Sequence, residues 1–169
     1  MKKQTLVILF ILVLAFMRLI PHIPNFTPVA SMALFGGVYF TDKRLAYIVP
    51  ILIMILSDIF LGFSMISIFV YLSFILISLL GTIFQSISIK SILISSIVFF
   101  IITNFGVWLM GYPKTLGGLV ECYTLAIPFF RNSILGDLFY SGIMYFSFEY
   151  IIKKIFKNIC TVTLLFVSL

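Results

Sequence analysis

The stretch Arg18–Gly37, RLIPHIPNFTPVASMALFGG, interrupts an otherwise apolar chain with three of its six prolines, its one histidine and a Gly–Gly pair. Thr27 followed by Pro28 is typical of a helix start, because a hydroxyl is preferred at the N-cap and proline at the first helical position. The apolar run then ends near Thr41, so the helix is roughly 21 Å long, against a hydrocarbon core of about 30 Å. We therefore predict a short second helix whose N-terminus lies below the membrane surface, or which begins with irregular backbone.

The composition excludes a soluble domain. Of 169 residues, 63% are hydrophobic and 9% are charged, whereas a soluble domain carries about 25% charged residues. A chain so poor in charge requires lipid as its solvent. The net charge of +6 is scattered along the chain without a basic stripe, so we interpret it as a topological signal and expect no nucleic-acid partner. The predicted location is the bacterial cytoplasmic membrane.

Six apolar runs predict an all-α membrane protein with a six-helix bundle in a single domain, residues 1–169. With the N-terminus inside, eight basic residues fall on the inner side and three on the outer side, as the positive-inside rule requires. Both termini are then cytoplasmic. Within the tail 153–169, the apolar end ICTVTLLFVSL, residues 159–169, is too short to span. No A-x-A cleavage site follows the first run, which predicts a retained span. The predicted spans are 5–20, 28–41, 45–63, 65–85, 91–110 and 129–152.

Two details of the bundle follow from small and turn-forming residues. Ala33 and Gly37 form a small-xxx-small pair, which lets helices approach closely in lipid. The outer loop after span 5 is too apolar for a free linker. Gly117–Gly118 predicts a hinge before a short helix at Leu119–Ile127, which is either a lid over a cavity or an interfacial helix.

Polar side chains collect in the outer half of this topology, which predicts a polar cavity open to the outside. We expect no cofactor, and no metal site or disulfide, since two distant cysteines and one histidine make neither plausible. The lipid bilayer and an unidentified small molecule are the expected partners. The candidate ligand-binding residues are Arg18, Asn25, Thr27, Asp58, Asn104, Trp108, Arg131, Asn132 and Asp137.

The two intramembrane carboxylates carry alternative interpretations. A carboxylate within a span is costly unless it is paired or hydrated. Asp58 is therefore either a structural ion pair with Arg18 or Arg131, or a ligand or proton site. Asp137, about two turns into span 6, favours a functional role. Arg131 favours anchoring at the outer interface.

The aromatic and amide residues of span 5 allow two interpretations as well. Asn104, Trp108 and Tyr112 share one helical face, and an amide beneath aromatic rings suits a flat heteroaromatic ligand. The alternative is an aromatic belt at the membrane surface.

The opening stretch itself predicts an anion site, because a sunken helix N-terminus presents unpaired N–H groups. Arg18, His22 and Asn25 would surround it. The alternative is a tight proline turn that joins two spans, with Arg18 reaching the headgroups.

Three segments, RLIPHIPNFTPVASMALFGG, VPILIMILSDIFLGF and YPKTLGGLVECYTLAIPFFRNSILGDLFYS, resemble the recurrent blocks of an uncharacterised bacterial family of small integral membrane proteins. The six-span layout is also loosely similar to the substrate-capturing S components of energy-coupling-factor transporters. That resemblance implies a ligand cavity on the outer side and a separate energising module as a partner.

Three functions remain open from the sequence. The first is a capture or transport subunit for a vitamin-like or other nutrient-like molecule. The second is an intramembrane enzyme that uses Asp58 and Asp137 as acid and base, although no P-loop, HExxH or G-x-S-x-G motif is present. The third is a structural membrane protein whose polar residues tie helices together. The first is our main prediction, and it is not an enzyme.

Overall fold

The computed structural model describes residues 3–20 and 23–167, with side chains up to residue 152. His22, the N-terminal residues 1–2 and the end of the predicted tail lie outside the described residues. Within these limits the chain is all helical. The helices are α1 (Lys3–Leu19), α2 (Val29–Tyr39), α3 (Lys43–Leu61), α4 (Ser67–Phe84), α5 (Ile89–Gly111) and α6 (Leu116–Val167).

The short second helix predicted from the sequence is present and lies at the centre of the bundle. α2 has 11 residues, and nine of them, Val29 to Gly37, are buried. It packs against all five other helices. A helix that is enclosed on every side must carry apolar or small residues on all of its faces. At 1.5 Å per residue α2 is about 16 Å long, roughly half of a hydrocarbon core.

Close contact between α2 and α4 depends on a pair of glycines. A Cβ atom at Gly37 would lie 2.3 Å from the Ser78 carbonyl oxygen and 2.9 Å from the Gly81 Cα. The Ser78 hydroxyl donates a hydrogen bond to the Ala33 carbonyl oxygen at 3.3 Å. The small-xxx-small pair Ala33 and Gly37 therefore lies in a helix–helix contact, as predicted.

The outside of the bundle is apolar. Among the described residues, three helices, α3, α4 and α5, are long and apolar enough to cross a membrane. Many large apolar side chains are exposed, with Phe60 74% exposed and Phe146 73% exposed. Soluble monomers rarely expose apolar surface of this extent. The chain is therefore a membrane protein, while the count of six spans stays a prediction.

The predicted outer loop with a separate short helix is wrong. α6 begins at Leu116 and continues through Pro128 without a break, so the predicted helix Leu119–Ile127 and span 6 (129–152) are parts of one helix. Gly118 is not a hinge: its amide donates to the Thr115 hydroxyl at 3.1 Å, which caps the helix start. Pro128 removes only one backbone hydrogen bond, and helices in membranes tolerate this loss.

Cysteine labelling tests whether α4 crosses the membrane in the predicted direction. Ser64 and Ser86 are exposed in the turns before and after α4. In a background lacking Cys122 and Cys160, we expect Ser64→Cys to react with an impermeant maleimide in intact cells. Ser86→Cys should react only after permeabilisation. Labelling of both from the same side would contradict the topology.

Candidate functional site

A polar cluster joins the ends of α1 and α3 to α4. Arg18 Nη1 donates to Asp58 Oδ1 at 2.5 Å and to Ser57 Oγ at 2.6 Å. The Tyr71 hydroxyl donates to Asp58 Oδ2 at 2.6 Å. Both carboxylate oxygens therefore have partners. Of the two alternatives for Asp58, the geometry favours the structural ion pair with Arg18.

Helix dipoles explain why Asp58 needs this cation. Asp58 lies three residues before the end of α3, where the carbonyl groups give the helix its negative end. A carboxylate that is only 2% exposed there is disfavoured by both burial and the dipole. Arg18 is in the last turn of α1, a position that suits a cation.

A second polar cluster surrounds Asp137 at the start of α2. Asp137 Oδ1 lies 3.3 Å from the Ser31 amide nitrogen and 3.3 Å from its hydroxyl oxygen. Oδ2 lies 2.7 Å from Ser96 Oγ. The Ser141 hydroxyl donates to Ser31 Oγ at 3.0 Å. The carboxylate is 3% exposed, so it is held by hydroxyl and amide groups in the interior.

Asp137 accepts a hydrogen bond from the start of α2, which is the capping role that the sequence assigned to Thr27. The N-cap residue of α2 is Pro28, not Thr27, and no side chain caps it locally. The first amides of a helix need acceptors, and the Asp137 carboxylate from α6 accepts from Ser31 instead. The predicted anion site is therefore filled by the protein's own carboxylate. Arg18 pairs with Asp58 and does not contribute to it.

The two clusters lie at different depths. Asp58 is three residues from the end of α3, about 5 Å along the helix. Ser96, which contacts Asp137, is fifteen residues from the end of α5, about 22 Å along it. Asp137 itself is twenty-one residues into α6, not two turns, because the helix starts earlier than predicted. Asp58 and Asp137 are not brought together.

A small polar cavity lies between the loop before α2 and the helices α5 and α6. Its volume is about 70 Å³. Asn25 lines it in a left-handed conformation, with φ 62°, and the Asn104 amide in its wall donates to the Phe100 carbonyl oxygen at 2.8 Å. The lining residues are Asn25, Phe99, Phe100, Thr103, Asn104, Ala126, Phe129 and Ser133.

The segment Ile23–Pro28 closes this cavity from one side and is tied to α6. The Asn132 amide donates to the Pro24 carbonyl oxygen at 3.0 Å. At Gly136 a Cβ atom would lie 3.1 Å from the Thr27 amide nitrogen, so the glycine lets the segment pack directly on α6. Asn25 and Asn104 are thus brought together, and Asn132 and Thr27 lie beside them.

Trp108 and Arg131 are not part of the cavity lining. The Trp108 indole N–H donates to the Pro113 carbonyl oxygen at 3.0 Å, and Lys114 lies 5.8 Å above its ring. These contacts close the α5–α6 turn. Arg131 is exposed on α6, in agreement with the interfacial role that the sequence favoured.

Comparison with known families assigns the chain to one of them. The model of a family of unknown function, DUF6580, matches residues 1–159. The chain belongs to the DUF6580 family. No curated protein and no solved structure matches this DUF6580 protein.

Sequence reasoning missed the hydroxyl partners of both carboxylates in the DUF6580 protein. Ser31, Ser96 and Ser141 surround Asp137, and Tyr71 completes the Asp58 cluster. The available signal was the presence of serines within apolar helices. That signal marks helix contacts in general and does not say which serine faces which carboxylate. Among the residues with described side chains, no group of three His, Cys, Asp or Glu residues is arranged to hold a metal ion.

Proposed function

We propose that this DUF6580 protein is a capture or transport subunit of the bacterial cytoplasmic membrane, which binds a small polar or heteroaromatic molecule from the outer side. The observation that carries the proposal is the cavity between Ile23–Pro28, α5 and α6. It combines two amides, Asn25 and Asn104, with aromatic side chains and two hydroxyls. Apolar walls with a few placed polar groups are typical of small-molecule sites.

The size of the cavity implies movement on binding. A volume of about 70 Å³ is well below the range of roughly 300–1,000 Å³ that ligand pockets occupy. A nutrient-sized molecule therefore requires Ile23–Pro28 to move away from α6. The segment is irregular and is tied by the Asn132–Pro24 hydrogen bond, so its displacement leaves the long helices intact. The loose similarity to S components supports an energising module as a partner.

A ligand screen with a matched pair of threonine variants tests the proposal. Thr103 and Thr82 each donate to a carbonyl of their own helix at 2.8 Å, but only Thr103 lines the cavity. We expect at least one vitamin or nucleobase-like compound to raise the melting temperature of the purified protein. Asn104→Leu and Thr103→Val should each weaken its binding, by about tenfold for one lost hydrogen bond. Thr82→Val should bind normally.

The structural interpretation is the competing function, and a specific observation favours it. Within the described part of the chain, every buried side-chain nitrogen and oxygen has a hydrogen-bond partner. If no compound stabilises the protein, or if Thr103→Val and Thr82→Val behave alike, the polar residues serve to hold helices together and the capture proposal fails. Turnover of a bound compound would instead support an enzyme.

A further inference from the structure

Asp137 is a buried carboxylate that has no cationic partner among the described side chains. Its contacts come from Ser31, Ser96 and the backbone amide of Ala30, and the ion pair found among the described side chains is the one between Arg18 and Asp58. The N-terminus of α2 offers it a partial positive charge of roughly half a unit. Since an isolated ionised carboxylate in an apolar interior is strongly disfavoured, such groups commonly take up a proton instead.

The Ser96 hydroxyl can form a hydrogen bond with Asp137 whether the carboxyl group of Asp137 is ionised or protonated. Ser96 Oγ lies 2.7 Å from Asp137 Oδ2 and 3.1 Å from the Ile92 carbonyl oxygen, and a hydroxyl has one hydrogen to donate. When Asp137 is ionised, Ser96 donates to Oδ2. When Oδ2 carries a proton, Asp137 donates to Ser96 Oγ, and Ser96 donates to Ile92. Rotation of one hydroxyl keeps both states hydrogen-bonded.

The other carboxylate oxygen stays fixed in both states. Oδ1 accepts from the Ser31 amide, whose hydrogen cannot be redirected. The Ser31 hydroxyl also lies 3.1 Å from the Asp137 carbonyl oxygen, and Ser141 donates to that hydroxyl. Oδ1 therefore continues to hold the start of α2 when Oδ2 gains or loses a proton.

No titratable side chain described on the surrounding elements forms a hydrogen bond or an ion pair with Asp137. On α2 the titratable residue is Tyr39, eight residues beyond Ser31, and on α5 it is Lys90, exposed at the helix start. Of the groups on α6, Tyr140 is the nearest in sequence, and its ring packs against Phe26 and Phe139. Residues 23–28 contain no titratable side chain.

The geometry points to Asp137 as a proton-binding site, in which Oδ2 gains or loses a proton and the Ser96 hydroxyl rotates to match. The proton comes from water through the outer cavity, since Ser133 lines that cavity and lies one helical turn from Asp137 on the same face. In the protonated state the α2 N-terminus faces a neutral group and is held less strongly. A link between this proton and solute binding rests on the proposed function, whereas the proton site does not.

Infrared spectroscopy of the full chain in lipid vesicles tests the site directly. As the buffer is changed from acidic to alkaline, we expect a carboxylic-acid C=O band to disappear and a carboxylate band to appear. The chain has four further Asp and Glu side chains, so the contribution of Asp137 is read from the difference between the wild-type and Asp137→Asn spectra. We expect this difference to contain the acid band in acidic buffer and the carboxylate band in alkaline buffer. Equal pH-dependent changes in the two spectra would overturn the inference.

Two adjacent serines provide a control that does not depend on folding of the Asp137 variant. Ser96 and Ser95 are both buried and both bond to a carbonyl of their own helix, but only Ser96 contacts Asp137. Ser96→Ala should shift the acid band to higher wavenumber, because the acid loses its acceptor, and Ser95→Ala should leave it unchanged. Equal spectra for the two variants would refute the role of Ser96. The infrared result is independent of the ligand screen, so either proposal can fail alone.

Discussion

Replacement of Arg18 by methionine is expected to destabilise the protein by about 3–5 kcal/mol, the range observed when one partner of a buried ion pair is removed. The reason is that Asp58, 2% exposed, would keep its charge near the negative end of α3. Its remaining strong partner would be the Tyr71 hydroxyl. The measurement is the free energy of unfolding in mixed detergent micelles.

Two further variants separate the loss of the pair from the loss of the arginine. Arg131→Met removes an exposed arginine and should change stability by no more than about 0.5 kcal/mol. The double variant Arg18→Met with Asp58→Asn removes both charges, and it should recover much of the loss. If Arg18→Met is no more harmful than Arg131→Met, the ion pair does not stabilise the fold.

Gly37→Ala is expected to destabilise the protein by about 1–3 kcal/mol, the usual cost of overpacking. The added methyl group would lie 2.3 Å from the Ser78 carbonyl oxygen and 2.9 Å from the Gly81 Cα. Both obstacles are backbone atoms, so no side chain can rotate away. The helices α2 and α4 would have to separate, and α2 is the helix on which the others pack. Thermal or detergent unfolding measures the loss.

Gly142→Ala is the matched control, because it makes the same chemical change in another helix. A Cβ atom at Gly142 meets nothing within 4 Å, and alanine is favoured over glycine in a helix by about 1 kcal/mol. We expect Gly142→Ala to be neutral or stabilising, opposite in sign to Gly37→Ala. The same sign for both would show that the α2–α4 contact tolerates a methyl group.

The helix positions followed from local properties of the chain. The predicted spans 28–41, 45–63, 65–85 and 91–110 agree with α2 to α5 within a few residues, because Pro, Gly and charged residues mark the turns between apolar runs. The start of α6 was missed, since Gly117–Gly118 and Pro128 are common in turns. The Thr115 cap and continuous backbone bonding outweighed them.

The site was predicted less well than the helices. The sequence indicated that Asp58 and Asp137 require partners and named Arg18 as one option for Asp58. It placed both carboxylates in one outer cavity, but they lie in separate clusters. Which hydroxyl faces Asp137 depends on how α2, α5 and α6 are rotated and shifted against one another, and apolar helices carry little information about rotation.

The sequence alone determined that the chain dissolves in lipid, that it is helical, and that its second helix is too short to cross a bilayer. These properties depend on composition and on neighbours along the chain. Only the tertiary structure decided what meets the start of that helix: the carboxylate of Asp137, more than a hundred residues away. The physical reason is that an unpaired amide or carboxylate in an apolar interior is costly, and several distant groups are able to satisfy it. Packing selects one of them.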